Sequence, residues 1–354
     1  MKKLLAPYKK GSLELKNHLV MAPMTRSRAI DNLPNELMAT YYAQRSGAGL
    51  IISEATAPSP EGLGYPRIPG IYSEAQVREW KKITDAVHQR DSKIFIQLMH
   101  TGRIGHPANL PDGLQVVGAS TIKAAGEIMT DAFGLQTHAE PVALTTEGIQ
   151  RTIAGFVTAS ENAVKAGFDG VELHAANGYL LEQFLNPNVN NRTDRYGGTI
   201  ENRSRLIIET ASKAAEAIGQ DKIGIRISPF STLGDLQPYD KADVHRTYAY
   251  LSRELNKVGI AYIHISSNPE IPQETYQAIR SGFSNTLIYC NGLTPETAET
   301  MLQAGSADLV AFGRSFLANP DFDKRIEQNA PLNEVNFNAL FTADAAGYID
   351  YPAL

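Results

Sequence analysis

Eight short apolar segments alternate with helix-like segments along the 354-residue chain, and this rhythm limits its possible folds more than any other feature. The apolar segments, read as strands, are residues 18–23, 50–55, 93–99, 170–173, 222–228, 261–266, 286–291 and 309–313. Eight βα repeats are typical of a (β/α)8 barrel, in which parallel strands form an inner cylinder. An open doubly wound sheet is the competing fold, but no glycine-rich dinucleotide turn follows the first strand. The sequence therefore predicts an α/β protein built as a single (β/α)8 TIM barrel.

The helix-like segments and two interruptions of the rhythm complete the predicted architecture. Helices are predicted at 35–46, 73–89, 146–166, 200–218, 241–258, 270–281 and 295–304, with a last one beginning near Ser315. Two alternating runs in residues 3–18 indicate an N-terminal β-hairpin. After the third strand, residues 100–145 lack helical periodicity, which is typical of a functional excursion or lid. No segment has the composition of a linker, so residues 1–354 are expected to form one domain.

Charge and cysteine content indicate a small-molecule partner and a reducing compartment. The net charge is −5 and the pI is about 5.9, without a Lys/Arg block, so we expect neither nucleic acid nor a membrane surface as a partner. The single cysteine, Cys290, excludes an internal disulfide and lies in an apolar run, which favours a buried, inert thiol. The N-terminus lacks a signal-peptide core, and no segment approaches the length of a membrane span. We therefore expect a cytoplasmic protein.

The segment 170–198 contains the strongest candidates for chemistry. A short strand there is followed by His174, Asn177 and Tyr179 within six residues. Two hydrogen-bond donors and a phenol can bind a carbonyl oxygen and supply a proton beside it, as an enolate-like transition state requires. The same residues could instead cap the strand and pack beneath a loop. Because the C-terminal ends of barrel strands form the active site, the predicted fold favours the catalytic interpretation.

Glycines after the last two strands indicate a phosphate site. The seventh strand ends at Asn291-Gly292 and the eighth at Gly313-Arg314. Loops at these positions, with inward-facing backbone N–H groups and a helix N-terminus behind them, bind phosphate in many barrels. Arg314 would add a bidentate charge. We expect a phosphorylated ligand, with glycine packing and a surface ion pair as the alternative explanation.

Two polar residues stand inside otherwise apolar strands. Arg226 in IGIRIS must meet an anion or a strongly polar group if it points into the barrel. Gln97 in IFIQLM can donate and accept at once, which suits the edge of a heterocycle. A buried ion pair and a satisfied core amide are the respective alternatives. The strand ends lack the carboxylates and paired histidines of a metal site, and no Ser or Cys nucleophile is supported.

Together these segments resemble the Old Yellow Enzyme family of FMN-dependent ene-reductases, in its bacterial, N-ethylmaleimide reductase-like branch. The resemblance covers the whole chain. It rests on MAPMTR (21–26), SEATAPSPEG (53–62), IQLMHTGR (96–103), HAANGYLLEQFLNPNVNNRTDRYGG (174–198) with the following ENRSR, IRISP (225–229) and VAFGRSFLANPD (310–321).

The resemblance implies a tightly but non-covalently bound FMN at the barrel mouth. The residues that would hold it are Pro23, Thr25, Ala57, Gln97, Arg226, Asn291, Gly292, Gly313 and Arg314. Thr25 would bond near the C4 carbonyl and N5 of the flavin, and Gln97 would bond the pyrimidine edge. Arg226 would lie at the N1 and C2 carbonyl side, where a cation tunes the flavin potential. Arg314 and the neighbouring glycines would hold the phosphate.

The resemblance also implies a reaction. His174 and Asn177 would bind the carbonyl oxygen of an α,β-unsaturated substrate, hydride would pass from flavin N5 to the β-carbon, and Tyr179 would protonate the α-carbon. NADPH would reduce the flavin on the same face, giving ping-pong turnover. We therefore expect an NADPH dehydrogenase or ene-reductase, working as a monomer or homodimer on activated C=C bonds and also on nitro acceptors.

Three further residues would line the substrate side: Tyr65, Met99 and Tyr351. Many relatives have Trp in place of Met99, a position that bears on acceptor range. Tyr351 lies in a C-terminal segment that reaches the mouth in relatives, with a packing tail as the alternative. Three other functions stay open: a nitro or nitrate-ester reductase, a flavin-binding protein with little turnover, and a barrel aldolase or isomerase that uses Glu172 as its base.

Overall fold

A β-hairpin at the N-terminus closes one end of the barrel, as predicted. In the computed structural model, which describes residues 2–354, β1 (Tyr8–Lys10) pairs antiparallel with β2 (Leu13–Leu15). The hydroxyl oxygen of Tyr8 lies 2.7 Å from Oγ1 of Thr286. Thr286 is the first residue of a barrel strand, so the hairpin covers the N-terminal ends of the strands.

Eight parallel strands close into a barrel within residues 2–354, which confirms the predicted (β/α)8 fold. After the hairpin, the strands are β3 (Leu19–Met21), β4 (Leu50–Thr56), β5 (Lys93–Leu98), β6 (Val117–Gly118), β7 (Glu127–Thr130), β8 (Gly134–Thr137), β9 (Val142–Ala143), β10 (Gly170–Ala175), β11 (Ile223–Ile227), β12 (Tyr262–Ser266), β13 (Thr286–Cys290) and β14 (Leu309–Phe312). The barrel consists of β3 to β5 and β10 to β14. Strand β10 extends two residues beyond the predicted end, so His174 lies inside the strand.

Helices surround the barrel and differ from the prediction in two places. They are α1 (Glu36–Gln44), α2 (Glu74–His88), α3 (Thr146–Lys165), α4 (Leu180–Leu185), α5 (Ile200–Ile218), α6 (Lys241–Val258), α7 (Gln273–Gly282), α8 (Pro295–Gln303), α9 (Arg314–Ala318) and α10 (Phe322–Gln328). The short α4 was not predicted. The predicted last helix is divided into α9 and α10, because Pro320 forces the preceding Asn319 into an extended conformation.

The excursion between β5 and α3 is held at the C-terminal end of the barrel. It contains the antiparallel β7–β8 hairpin and the parallel β6–β9 pair. Arg103 donates to the carbonyl oxygens of Gly234 and Asp235 at 3.2 and 2.6 Å, in the loop after β11. Arg67, in the loop after β4, forms an ion pair with Asp131 at the turn of the β7–β8 hairpin. The excursion therefore packs on loops that follow barrel strands, where the site was predicted.

The structure gives one finding on membranes. Among the helices of residues 2–354, none is both long and apolar enough to cross a bilayer. The cytoplasmic location stays a prediction.

Two glycines make room for large side chains inside the N-terminal half of the barrel. A methyl group on Gly224 of β11 would overlap the ring of Tyr262, and one on Gly170 of β10 would overlap the ring of Phe95. The Phe95 and Tyr262 rings are buried, with centroids 5.6 Å apart. Because these rings fill the N-terminal half, the polar residues of the strands collect in the C-terminal half.

Replacing Gly224 with Ala should destabilise the fold by about 1–3 kcal/mol, because the tightly packed Tyr262 ring must shift. Chemical unfolding followed by circular dichroism measures the loss. Gly155→Ala is the matched control: it lies in α3, and its nearest neighbour would be Ser59 Cβ at 3.7 Å. The control should gain roughly 0.5–1 kcal/mol from helix propensity. Equal unfolding midpoints for both variants would contradict this packing role.

Candidate active site

Polar side chains from four neighbouring strands meet in the C-terminal half of the barrel. Strand pairing places Glu172 of β10 beside Gln97 of β5, and His174 of β10 beside Arg226 of β11. In the strand register, Arg226 also lies beside His264 of β12. Glu172 and His174 are two residues apart, so their side chains leave the strand on the same face. That face is the barrel interior, because the side chains of Glu172, Gln97 and His264 contact one another across it.

A buried ion pair anchors this polar layer. The side chains of Glu172 and His264 are both 0% exposed, and His264 Nδ1 lies 2.9 Å from Glu172 Oε2. Gln97 Nε2 donates to Glu172 Oε1 at 2.8 Å. Burial raises the pKa of Glu172, but His264, Arg226 and Gln97 together bring that pKa below its ordinary value. Burial lowers the pKa of His264, but Glu172 brings it above its ordinary value. Both shifts favour the charged pair.

Arg226 is left without a carboxylate partner. It is only 6% exposed, and no carboxylate in the described part of the chain, residues 2–354, forms a salt bridge with it. Its Nη2 lies 3.8 Å from Cys290 Sγ, and its Nε lacks a hydrogen-bond partner among the same residues. Glu172 is already engaged by Gln97 and His264. Because an unpaired buried charge costs several kcal/mol, this position favours an anionic or strongly polar ligand.

A cavity of about 520 Å³ opens beside Arg226, at the ends of β3, β11, β13 and β14. Gly292 in its wall has a φ of +68°, and a side-chain carbon there would have nothing within 4 Å, so its backbone is open to a ligand. Arg314 is exposed, with its guanidinium 5.6 Å from the ring centre of Phe337. The cavity brings together six of the predicted cofactor residues: Pro23, Arg226, Asn291, Gly292, Gly313 and Arg314.

His174 and Asn177 present atoms without partners at the end of β10. His174 Nδ1 and Asn177 Oδ1 are buried and have no hydrogen-bond partner within residues 2–354. Burial, then the charges of Arg226 and His264, hold the pKa of His174 well below its ordinary value, so its ring is neutral at neutral pH. A neutral imidazole can donate to a carbonyl oxygen through its N–H, and the Asn177 amide can donate through Nδ2, whereas Oδ1 only accepts.

Tyr179 lies next to this pair and keeps its proton. Its ring meets the His174 ring edge to face, with centroids 4.9 Å apart. Its hydroxyl oxygen lies 3.1 Å from that of Tyr65. Burial, then the neighbouring Tyr65, raise the pKa of Tyr179 well above its ordinary value. The structure thus brings the predicted residues His174, Tyr179 and Tyr65 into contact, and Asn177 lies in the turn between His174 and Tyr179.

The structure also describes three more of the predicted ligand contacts. Met99 is 1% exposed, in an apolar cluster against which Tyr65 and Tyr179 pack. Thr25 is half-buried in the loop after β3, two residues beyond Pro23. Ala57 uses both its backbone N–H and its carbonyl oxygen in bonds to residues 69–71. The N–H of Ala57 is therefore occupied, whereas its carbonyl oxygen keeps a second lone pair.

In the C-terminal segment, Phe341 rather than Tyr351 lies near the loops at the mouth of the barrel. Tyr351 lines a groove with Lys16 and Arg90, which precede β3 and β5 and so lie at the N-terminal end of the barrel. Phe341 is instead 58% exposed, and its carbonyl oxygen accepts a hydrogen bond from Arg67, the partner of the β7–β8 turn. The structure does not bring Tyr351 to the predicted substrate side.

Sequence reasoning did not predict the roles of three buried polar residues, which are Glu172, His264 and Glu182. Glu172 was considered only as a possible base, because its direction from the strand could not be determined. His264 in AYIHIS carried the same signal as Arg226, a polar residue in an apolar strand, and could have been found by it. Glu182 gave no such signal, since a glutamate in a short helix resembles a surface residue, yet it is buried.

Replacing Glu172 with Gln should destabilise the fold by about 3 kcal/mol, because His264 loses its buried counter-charge. The lowered pKa of Glu172 means that its contribution is lost as the pH falls through that value. The raised pKa of His264 means that its contribution is lost as the pH rises through that value, above 6.5. Urea unfolding of both proteins should therefore show the widest gap at about pH 5–6.5.

Glu270→Gln is the control for this prediction, since its pair with Lys241 is exposed and 4.0 Å long. It should change stability by less than about 0.5 kcal/mol. A gap between wild type and Glu172→Gln that does not vary with pH would show that the pair is not ionised.

Known proteins match this chain over almost its full length. A profile of the NADH:flavin oxidoreductase / NADH oxidase family matches residues 3–333. 12-Oxophytodienoate reductase 1 of Oryza sativa subsp. japonica is 41% identical over 361 residues, covering 99% of this chain and 93% of that protein. 12-Oxophytodienoate reductase 2 of Arabidopsis thaliana is 38% identical over 363 residues, covering 99% and 96%.

Solved structures agree with the sequence relatives. Morphinone reductase superposes with a TM-score of 0.95 at 41% identity, covering 99% of this chain and 96% of that one. Morphinone reductase in complex with tetrahydroNAD gives the same TM-score of 0.95 and covers 97% of that chain. The bacterial branch stays a prediction. The chain belongs to the NADH:flavin oxidoreductase / NADH oxidase family, the Old Yellow Enzyme family of FMN oxidoreductases, as its sequence motifs predicted.

Proposed function

We propose that this protein is an FMN-dependent, NADPH-driven reductase of activated C=C bonds in α,β-unsaturated carbonyl compounds. One observation carries the proposal: His174, which has a partner-free ring nitrogen, lies beside the cavity-bordering Arg226 in the strand register, and its ring contacts the proton-holding Tyr179. Besides a hydride, reducing such a bond requires hydrogen-bond donors to the carbonyl oxygen and a proton source.

The cavity at the barrel mouth fits FMN. Arg226 supplies a buried cation whose Nε lacks a partner among residues 2–354, and Gly292 leaves its backbone open beside Arg314. We assign the phosphate to Asn291, Gly292, Gly313 and Arg314. When bound, FMN would accept a hydride from a reduced nicotinamide and deliver it to the substrate.

The ring of the cofactor would lie against a second set of residues. We assign it to Pro23, Thr25, Gln97 and Arg226. We keep Ala57 as a proposed contact and add Ala55, which lies directly beside Gln97 on the neighbouring strand.

The side chains of this protein would hold the substrate and supply its proton. A neutral His174 and the Asn177 amide donate to the carbonyl oxygen, and they stabilise the negative charge that grows there as the double bond is reduced. Tyr179, held in its protonated form by burial, gives its proton to the α-carbon. Met99 belongs to the apolar cluster against which the same tyrosines pack, and it would limit the acceptors that fit.

The relatives support the choice of donor and acceptor classes. One of them was solved with tetrahydroNAD, which supports a nicotinamide donor, and NADPH is our choice within that class. Others are named for the reduction of 12-oxophytodienoate. We propose that residues 1–354 act as one FMN-binding unit, because the excursion is tied to two barrel loops. We also propose that nitro compounds serve as further acceptors.

Spectroscopy of the purified holoenzyme tests this function. Without oxygen, NADPH should bleach the flavin absorption, and a cyclic enone should restore it. Bleaching without restoration would leave a flavin protein with little turnover. Colourless protein that takes up no FMN would refute the cofactor.

Replacing Tyr179 with Phe should slow the enone-dependent return of absorption by about 100- to 10,000-fold, because the proton source is lost. The NADPH-dependent bleaching should keep its rate, since no proton from Tyr179 is needed there. Stopped-flow absorption measures both phases. Tyr65→Phe, which removes the hydroxyl 3.1 Å away but keeps Tyr179, is the matched control and should slow the second phase much less. Equal slowing of both phases by Tyr179→Phe would refute its role as proton donor.

A further inference from the structure

The turn that presents Asn177 is conformationally strained. Asn177 has a φ of +58° and Gly178 a φ of +83°, two consecutive residues in the left-handed region. Asn is one of the few residues with a side chain that adopt this region, and a side-chain carbon on Gly178 would overlap the backbone of Leu233. Such a turn persists only where its surroundings hold it.

Glu182 provides that hold from the first turn of α4. Its Oε2 accepts the backbone N–H of Gly178 at 2.8 Å. Its Oε1 accepts the hydroxyls of Ser228 at 2.6 Å and of Tyr248 at 2.8 Å. The Ser228 hydroxyl oxygen in turn accepts the backbone N–H of Asn177 at 2.8 Å. The N–H of Gly178 is therefore bound directly to the Glu182 carboxylate, and the N–H of Asn177 is bound to it through the Ser228 hydroxyl.

We propose that Glu182 is a positioning residue that, through Gly178 and Ser228, orients Asn177 toward the carbonyl oxygen of the substrate. The inference rests on the proposed function. Glu182 does not touch the substrate itself: it is 2% exposed and lies behind the turn, facing a separate cavity of about 260 Å³.

The ionised form of Glu182 matches this role. Three donors point at the carboxyl group, and a carboxylate accepts all three. A protonated Glu182 would add a fourth donor to the same space, so one of the existing bonds must turn away. Burial raises the pKa of Glu182 to about 7, although the bonds from Ser228, Gly178 and Tyr248 lower it. The group therefore titrates in the neutral range.

The other ionisable groups around Glu182 are neutral or paired. The hydroxyl of Tyr248 on α6 contacts it, and burial raises the pKa of Tyr248 well above its ordinary value. Tyr239 lines the same cavity, and burial raises its pKa also. At the exposed rim, Lys241 and Glu270 lie 4.0 Å from each other. Behind Tyr239, Arg203 of α5 is paired with Asp243 of α6 at 2.8 Å.

Glu182→Gln tests the inference in the flavin-loaded enzyme. The variant keeps the size of the side chain, but its amide has only one oxygen that can accept hydrogen bonds, where the carboxylate has two. For the wild type, kcat/KM for the enone should rise with pH through about 7. In Glu182→Gln it should fall by about 10- to 100-fold at high pH and lose that rise. The rate of NADPH-dependent bleaching should be unchanged.

Stability should move in the opposite direction to activity. A carboxyl with a raised folded pKa stabilises the fold at low pH, and this contribution is lost as the pH rises from 4.5 through about 7. The melting temperature of Glu182→Gln relative to wild type should therefore rise over that range while enone turnover stays impaired. A side chain with only a structural role would not combine these two results.

Two further variants provide a second test and a control. Tyr248→Phe removes a hydrogen bond that lowers the pKa of Glu182, so the rise in kcat/KM should move to higher pH. This variant tests the inference even if Glu182→Gln does not fold. Glu270→Gln, in the rim of the same cavity, should leave the profile unchanged.

The outcomes separate this inference from the function on which it rests. A wild-type pH profile in Glu182→Gln, or an unshifted one in Tyr248→Phe, overturns the positioning role while enone reduction stands. Wild-type enzyme that binds FMN but reduces no enone overturns the proposed function, and the positioning role with it.

Discussion

The charge balance inside the barrel determines what this protein can bind. Glu172 and His264 neutralise each other in a region closed to water, and Gln97 satisfies the remaining carboxylate oxygen. Arg226, one strand away from each, is thereby excluded from pairing with the nearest carboxylate. A polar or anionic ligand beside a buried guanidinium in that state stabilises it. The open glycine backbone and the cavity at the ends of β13 and β14 complete a site for such a ligand.

The reacting groups derive their properties from the same burial. Arg226 and His264 add to the effect of burial in keeping His174 neutral, and burial keeps the proton on Tyr179. The turn between them is held by Glu182, a carboxylate with no contact to the mouth. In the proposed function, substrate binding, proton supply and orientation therefore depend on one strand end and the short helix that follows it.

The barrel could be predicted from sequence because its signal is periodic and local. Each strand appears as an apolar run, and the register then places Gln97 beside Glu172 and Arg226 beside His174. The roles of Glu172 and Glu182 could not be predicted, since they depend on which partners the folded chain places around each carboxylate. Tyr351 was misplaced because the aromatic residues of the C-terminal segment are alike in sequence, and only the fold shows that Phe341 is the one near the excursion. The break at Pro320 was predictable in principle from the proline alone.

The reduction potential of the bound flavin in wild type and in Arg226→Met tests the central claim most directly. If Arg226 is kept free of carboxylates to face the flavin, its removal should lower the potential, because added negative charge on the ring loses its buried counter-charge. Arg78→Met, which removes a cation from the exposed face of α2, should leave the potential unchanged. Equal potentials in wild type and Arg226→Met, measured on flavin-loaded protein, would contradict the account.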